Sequence, residues 1–410
     1  MVYQYWRQDK PGQQSTSKFE TFSMAVANSI GSHELRADLG NPAEEQVAMP
    51  QSLSIVVRAL NLDNNADRMN LIELIDSNYG EGFTARVPHL LDSQKDTEDD
   101  SDESLLNLIH VVAVEDDRFV AHLAVRKYDL LHRSQSVYEL ILPAILPAYR
   151  REAFRLARML WKHITEQAER QQVAAIYHYS PLKHPLLQLM AVKCFRSIET
   201  GIIPSAPARF GGIRLVPSRN PRKQRAKSLL MCNILNEDAF AATHPLRVPR
   251  ELSEIVQILC EQLGISRTLI EESIEQFEQI PRVSLVYRSQ SSLLSGITDV
   301  SLVPLLSTQS GGSSVDEALQ QLVDLEQAVG AKASLAVPLL REGASRVIYE
   351  LLERGYTFSG LRPLPGGRDE LLLTTLGNEE LNDSVVYSRT AQFLKEFIRN
   401  FSANYLAEKH

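Results

Sequence analysis

The alternation of apolar and polar positions divides the chain into a weakly patterned beginning and two stretches of mixed α/β character. Residues 1–50 are rich in Ser, Gln, Gly and Asn and lack sustained periodicity, which is typical of a flexible arm with one short helix near Phe19–Ile30. In the first patterned stretch the spacing predicts the strand Leu53–Arg58, the helix Asp67–Ser77, the hairpin strands His110–Val114 and Arg118–Lys127, the strand Val137–Leu146, the helix Arg151–Gln171, the strand Val173–Tyr179, the helix Pro185–Cys194, and strands near Gly212–Val216 and Ser228–Leu235.

A proline-containing segment, Asn236–Pro249, predicts a boundary before the second stretch. There the pattern predicts helices at about 250–262 and 266–277, the strands Arg282–Arg288 and Ile297–Leu306, a Gly/Ser-rich turn at Ser307–Ser314, the helix Val315–Val329, the strand Ala333–Leu339, the helix Ala344–Arg354, and a hairpin around Pro365-Gly366-Gly367. The last segment, Ser388–Ala407, carries phenylalanines four residues apart, which predicts an amphipathic helix that packs on its own domain or on a second subunit.

The two stretches resemble each other at an offset of about 160 residues. Glu166-Gln167-Ala168 recurs as Glu326-Gln327-Ala328, and Thr200-Gly201-Ile202-Ile203-Pro204 is matched by Ser359-Gly360-Leu361-Arg362-Pro363. A helix–strand–helix–strand unit that is used twice predicts two domains of one kind. We therefore expect an arm at 1–50, a first domain at 51–238 and a second at 245–410.

Composition narrows the class of protein. The 410 residues are 44% hydrophobic and 23% charged, as in soluble globular proteins. The sequence contains no run of 18 or more apolar residues, which is the pattern that predicts a membrane span. The first residues lack the apolar core of a signal peptide, which favours a cytoplasmic location. The three cysteines have no metal-ligand spacing, so we expect buried thiols and no metal. A net charge of −8 argues against a general nucleic-acid binder.

Two clusters of charge interrupt this background. Asp92–Glu103 is acidic and is either a solvated loop or, alternatively, a cation site. Seven basic residues crowd into the segment Arg209–Lys227 without an acidic neighbour. This loop could recruit an acidic partner or simply be a solvated, flexible connection.

The order of elements resembles that of the GNAT acyltransferase superfamily, and short motifs fit. Leu140–Arg151 is similar to that family's fourth strand and the start of its acyl-CoA loop, and Leu186–Phe195 is similar to its penultimate helix. Both halves are particularly similar to the acetyltransferase-like domains that are fused to anti-sigma-factor ATPases. The resemblance implies a mixed α/β sheet in two tandem GNAT-like domains.

The resemblance also implies a binding site for acetyl-CoA or another acyl-CoA. The family's pyrophosphate-binding stretch corresponds to Arg150–Arg155, with Leu146 just before it and Arg150, Arg151 and Ala153 as the binding residues. Arg155 stands where the family has a small residue, and its guanidinium could bind phosphate instead of the backbone, or these arginines could form a solvated helix face. In the second half the matching stretch is the Gly/Ser-rich turn, which lacks arginine.

The residues for catalysis are less regular. The tyrosine that acts as the general acid in this family corresponds to Met190 in the first half and Leu351 in the second, and neither can donate a proton. Candidate bases are Glu139 and Glu115, while His178 and Tyr179 lie at the end of a strand, where α/β sheets tend to place ligands.

The expected function is N-acyl transfer from a coenzyme A thioester to a small-molecule or peptide amine, with the second domain structural. The alternative is a catalytically silent protein that uses the fold to hold a ligand or partner. A homodimer is compatible with either reading, and no interaction with a membrane is expected.

Overall fold

In the computed structural model of the chain, the described residues are 55–86, 108–129, 136–182, 185–204, 209–210, 213–214, 227–279, 283–287, 297–304, 334–375, 381 and 386–407. The strands are β1 (Val56–Ala59), β2 (Leu108–Glu115), β3 (Arg118–Asp129), β4 (Ser136–Ile145), β5 (Val173–Pro181), β6 (Ile198–Pro204), β7 (Arg209–Phe210), β8 (Ile213–Arg214), β9 (Lys227–Ile234), β10 (Leu246–Pro249), β11 (Leu269–Glu272), β12 (Val283–Tyr287), β13 (Ile297–Pro304), β14 (Ser334–Pro338), β15 (Thr357–Arg362) and β16 (Glu370–Thr374). The α-helices are α1 (Asn65–Tyr79), α2 (Phe83–Arg86), α3 (Ala153–Arg170), α4 (Pro185–Lys193), α5 (Arg250–Gln262), α6 (Ala344–Glu353) and α7 (Arg389–Ala407). The predicted helices Phe19–Ile30 and Val315–Val329, the acidic stretch, the Gly/Ser-rich turn and most of the basic loop lie outside these ranges.

Within the described ranges, twelve strands form one mixed sheet in the order β1-β2-β3-β4-β5-β9-β6-β15-β16-β14-β13-β12. The first half of the chain supplies the first seven strands and the second half supplies the other five. The fold is therefore the mixed α/β class that the sequence predicts.

The pairing pattern of five strands occurs twice along this sheet. In the series β3-β4-β5-β9-β6, the successive pairs are antiparallel, parallel, antiparallel and antiparallel. The series β12-β13-β14-β16-β15 has the same succession. Sequence repetition and strand pairing thus agree for these segments.

The two series meet where β6 and β15 pair antiparallel through Gly201 and Gly360, a contact that we call the seam. Each glycine follows a register shift in its own half, between Glu199 and Gly201 on one side and between Phe358 and Gly360 on the other. The glycine of the repeated Thr/Ser-Gly motif therefore pairs with its own counterpart.

A close backbone approach makes both glycines necessary at the seam. A Cβ on Gly360 would lie 2.4 Å from the Cα of Gly201 and 2.5 Å from the carbonyl oxygen of Thr200. A Cβ on Gly201 would lie 2.8 Å from the carbonyl oxygen of Ser359. Backbone atoms cannot rotate away from such contacts, so a side chain at either position would force the strands apart.

Helix α7 covers the seam, with contacts to both β6 and β15. The ring of Phe397 meets that of Phe358 edge-on at 5.6 Å, and Ser402 Oγ lies 2.6 Å from Thr357 Oγ1. The predicted helix Ser388–Ala407 is confirmed, and it packs on this chain's own sheet.

The connecting segment differs from the prediction. The helix predicted at 266–277 is wrong, because Leu269–Glu272 is a strand that pairs parallel with Leu246–Pro249. Arg267 enters the interior at this point and binds Asp369, a long-range contact that overrides the local helical spacing. Of the strand predicted near Gly212–Val216, the described residues are Ile213 and Arg214, which form β8 and pair with β7 outside the main sheet.

Helix α3 shows how the pattern produces the core of the first half. Its buried positions are apolar and recur at helical spacing, and most of the positions between them are polar. Trp161 on this helix stacks on Phe195 at 4.5 Å, which ties α3 to the segment that follows α4. No helix among the described residues has the length and apolar character that crossing a membrane requires.

Candidate active site

Strands β4 and β5 separate part of the way along their length. Their parallel ladder runs from Ser136 and Val173 to Leu140 and His178. Beyond that pair, β4 continues to Ile145, while β5 continues to Pro181 paired with β9 on its other side. The ladder thus stops before either strand ends, and we call this parting of β4 and β5 the candidate cleft.

A β-bulge in β4 lies on the wall of this cleft. Two residues, Leu142 and Pro143, stand opposite the single residue Leu123, because Ala124 pairs with Ile141 and His122 pairs with Ala144. Leu142 has a φ of 51°, in the left-handed region that β-strands avoid.

The two bulge carbonyls are both bound by side chains. His122 Nδ1 lies 3.0 Å from the carbonyl oxygen of Leu142, and the hydroxyl of Tyr79, the last residue of α1, donates to that of Pro143 at 2.9 Å. The second ring nitrogen of His122 lies 3.0 Å from Nδ1 of His110 on β2. Burial lowers the pKa of His110 to about 4 and that of His122 to about 3, so both rings are neutral at pH 7.

The register of β4 and β5 sends the predicted catalytic residues to different faces of the sheet. Glu139 pairs with Tyr177, and Leu140 pairs with His178. Because neighbouring paired residues share a face and successive residues alternate, Glu139 and Tyr179 project to one face and His178 projects to the other. The structure therefore brings Glu139 and Tyr179 to one side and does not bring His178 to them.

Glu139 belongs to a buried polar cluster on its face. Its side chain is 1% exposed, and it accepts a hydrogen bond of 2.9 Å from the hydroxyl of Tyr128. That hydroxyl in turn accepts from Arg126 at 3.0 Å, and the guanidinium Nε lies 3.8 Å from the carboxylate. A ligand that contacts Glu139 would have to reach it past these two partners.

His178 and Ser180 lie on the opposite face, with polar atoms that have no hydrogen-bond partner among the described residues. Both nitrogens of His178 and Oγ of Ser180 are buried and unpaired, and the two residues are 2% and 0% exposed. Burial lowers the pKa of His178 to about 3, and its ring meets Phe195 edge-on at 5.9 Å. An unpaired buried polar group costs about 1–3 kcal/mol, so two such residues at the parting of β4 and β5 indicate a place for a ligand's polar groups.

The predicted coenzyme-binding residues lie where β4 gives way to α3. Leu146 directly follows β4 and is buried, a 3₁₀ turn comes next at Pro147–Glu152, and Ala153 begins α3 with 2% exposure. Arg150 and Arg151 are exposed on the turn, whereas Arg155 binds Glu152 at 2.9 Å.

The turn is anchored by Tyr149, whose hydroxyl donates to Glu115 at the end of β2. This hydrogen bond raises the pKa of Tyr149 and occupies Glu115, the second candidate base. The contact holds the loop with the two exposed arginines against the β2–β3 hairpin.

In the second half, two parallel strands also part before they end, but there another segment of the chain lies against one of them. The ladder of β13 and β14 runs only from Ile297 and Ser334 to Asp299 and Ala336. Just past the end of β14, the carbonyl of Leu339 accepts a hydrogen bond of 2.8 Å from the amide of Arg247 on β10. The connecting segment therefore lies against the end of β14.

Sequence reasoning missed Ser180, the Arg126–Tyr128 pair and the two histidines at the bulge. Their roles depend on cross-strand register, which a single sequence does not display. The only available signal was that buried-looking strands carried His and Arg at positions that are usually apolar.

Comparisons with known proteins give a coarse likeness. No family model and no curated protein matches the chain. Among solved structures, it is similar to a probable acetyltransferase from Staphylococcus epidermidis (15% identity, 44% of this chain and 98% of the other, TM-score 0.30) and to the aminoglycoside 6'-N-acetyltransferase from Enterococcus faecium (12%, 44% and 97%, 0.30). It is also similar to a putative acetyltransferase from Salmonella typhimurium with its cofactor acetyl-CoA (13%, 45% and 95%, 0.29).

Metal chemistry has no counterpart in the geometry described above. Among the residues that the structure describes, no group of three or more His, Cys, Asp and Glu side chains is arranged to hold a metal ion. The three cysteines are buried as free thiols.

Proposed function

We propose that the chain is a tandem pair of GNAT-like domains, of which the first binds an acyl-CoA and transfers its acyl group to an amine. The observation that carries this proposal is the parting of β4 and β5 beside a bulge, followed at once by the turn into α3. In the family that the sequence resembles, the acyl-CoA binds at this point. The repeated strand pairing on the two sides of the seam supports the tandem arrangement.

The described residues fit an acyl-CoA in two respects. His178 and Ser180 offer unpaired polar atoms at the parting of the strands, suited to the neutral amides and thioester of such a ligand. Arg150 and Arg151 are exposed at the beginning of α3, where guanidinium groups and the helix dipole favour phosphate. Arg155 would contribute only after it leaves Glu152, which weakens this part of the fit.

The reaction divides naturally between the two faces of the sheet. The amine nitrogen attacks the thioester carbonyl and passes its proton to a base, and the carbon–sulfur bond breaks to release coenzyme A as a thiolate, which takes a proton from solvent. Glu139 and Tyr179 share the face that would receive the amine, and Glu139 is the proposed base. His178 is neutral at pH 7 because its pKa is about 3, so it would orient the thioester through a hydrogen bond instead of exchanging a proton.

The second domain is proposed to be structural, because β10 lies against the end of its parted strand β14. The acceptor is proposed to be a small-molecule or peptide amine. An acidic partner for the basic segment Arg209–Lys227 and a homodimer are further proposals, and the cytoplasm is the proposed location.

Calorimetric titration with acetyl-CoA and with coenzyme A tests the proposal. Wild type should bind both, and Arg150→Ala/Arg151→Ala should weaken binding about tenfold or more, since each phosphate contact is charge-assisted. The matched control is Lys162→Ala, a residue of the same helix whose side chain is 80% exposed, and it should bind like wild type. Failure of wild type to bind either compound would remove the proposal.

Release of free thiol in a screen of amines then separates an enzyme from a silent binding protein. The alternative of a silent protein is favoured by one observation, that the buried Met190 and Leu351 replace the family's proton-donating tyrosine. Binding without thiol release for any amine would support it. With an active amine, Glu139→Gln should lower kcat by at least about 100-fold if Glu139 is the base, and an unchanged kcat would discard that role.

A further inference from the structure

The β4 bulge is bound by a chain of side chains that begins on β2 and ends on the cleft wall. We infer that His122 is a positioning residue that holds the bulge in the shape that the ligand needs, with His110 fixing its orientation. The effect of His122 on ligand binding rests on the proposed function, whereas the geometry of these hydrogen bonds does not. We call His110, His122 and the Leu142 carbonyl the histidine clamp.

The hydrogen-bond directions in the clamp follow from chemistry. A carbonyl oxygen can only accept, so Nδ1 of His122 must carry the hydrogen that reaches Leu142. A neutral imidazole has one N–H, so Nε2 of His122 must accept, and the hydrogen between the two rings must be on Nδ1 of His110. Both histidines, which are neutral at pH 7, are therefore protonated on Nδ1, and Nε2 of His110 is a buried acceptor that has no partner among the residues that the structure describes.

The clamp has a mechanical reason to exist. A non-glycine residue is strained in the left-handed region, and Leu142 is held there with a φ of 51°. The hydrogen bond from His122 acts on the carbonyl of that same residue, while Tyr79 binds the next carbonyl. Without the His122 contact, the strained conformation would lose its nearest support and β4 could relax toward a regular strand.

Relaxation of the bulge would change the cleft. A bulge bends its strand and re-aims the residues that follow it. Here those residues are Ala144 and Ile145, the end of β4, and Leu146, which leads into the turn that carries Arg150. The clamp thus determines how far β4 lies from β5. It acts from the side of β4 that faces away from β5 and does not touch the ligand.

Two substitutions of His122 separate positioning from general stability. In His122→Asn the amide nitrogen occupies the place of Nδ1 and can still donate to Leu142, but the contact with His110 is lost. In His122→Gln the longer amide reaches the place of Nε2, which keeps His110 and loses Leu142. Each variant keeps one contact and breaks one, so both should lose a similar amount of stability in urea unfolding.

Ligand affinity should distinguish the two variants where stability does not. We expect the dissociation constant for coenzyme A to rise by about tenfold in His122→Gln and by less than about twofold in His122→Asn. Equal weakening in both variants at equal stability, or no weakening in either, would overturn the positioning role.

Nitrogen-15 NMR of the histidine rings tests the clamp independently of any ligand. Wild type should show both rings in the Nδ1–H form at pH 7, and His122→Gln should leave His110 in that form. An Nε2–H form of either ring would refute the clamp. If wild type shows the expected forms but binds no coenzyme A, the proposed function fails and the inference about ligand affinity falls with it, while the clamp geometry stands.

Discussion

The seam predicts an unusually strong effect from one methyl group, in the variant Gly360→Ala. Its Cβ would lie 2.4 Å from the Cα of Gly201, whereas ordinary contacts begin near 3.4 Å, so β6 and β15 would have to separate by about 1 Å. Amide hydrogen bonds of about 2.9 Å do not survive such a displacement. Overpacking that moves backbone typically costs about 1–3 kcal/mol, and we expect the upper end, about 3 kcal/mol, in the free energy of unfolding.

Urea unfolding followed by circular dichroism measures this effect, with two glycine variants as a scale. Gly355→Ala introduces a methyl at a φ of +84° with no atom of the described residues within 4 Å, so it isolates the cost of backbone strain at about 1 kcal/mol. Gly201→Ala should fall between the two, because its nearest contact is 2.8 Å. The double variant Gly201→Ala/Gly360→Ala should cost less than the sum, since the first methyl already opens the seam. Equal losses in Gly360→Ala and Gly355→Ala would refute the account of the seam.

Two further predictions concern buried titratable groups. His178 takes up a proton near pH 6.5 in the unfolded chain and only near pH 3 in the folded chain, so this residue lowers the stability by about 1.4 kcal/mol for each unit by which the pH drops below 6.5. The variant His178→Leu should therefore lower the slope of the unfolding free energy against pH by the equivalent of one proton. An unchanged slope would contradict the burial of His178 in its neutral form. Asp369→Ala would leave the fully buried Arg267 charged and unpaired, at a cost of about 3–5 kcal/mol in urea unfolding, whereas Asp369→Leu/Arg267→Met should recover much of it. A double variant as unstable as Asp369→Ala would contradict that explanation.

Periodicity and repetition predicted those parts of the fold that depend on neighbours in sequence. The helix from Arg151 to Gln171 could be predicted because its apolar positions form one stripe, and the hairpin around Glu115–Asp117 because alternation stops and resumes there. The motif Thr200-Gly201 could be matched to Ser359-Gly360 by eye. The sequence could not show whether the two matched strands pair with each other, because two similar strands are equally compatible with separate sheets and with one shared sheet.

The site could be predicted only as a region for the same reason. Glu139 lies on β4, and His178 and Tyr179 lie on β5, yet whether they share a face depends on whether Leu140 or Glu139 stands opposite His178. A shift of one residue reverses the answer, and nothing within either strand determines it. The incorrect helix at 266–277 has a related cause, since the partner of Arg267 lies 102 residues away.

The asymmetry between the halves has a physical form in the hairpin between β15 and β16. The hydroxyl of Tyr177 on β5 donates to the carbonyl of Pro363, so the second half binds the strand that carries the candidate site of the first. Asp369 holds that hairpin through the amide of Leu364 at 2.9 Å and through the buried Arg267 of the connecting segment. In the second half, β10 lies against the end of the parted strand β14. The second half can still shape the neighbouring cleft, because it fixes β5 from the face of the sheet on which Glu139 lies. Division of labour between the halves therefore does not require the second to bind a ligand; it requires the seam and this hairpin to keep their geometry.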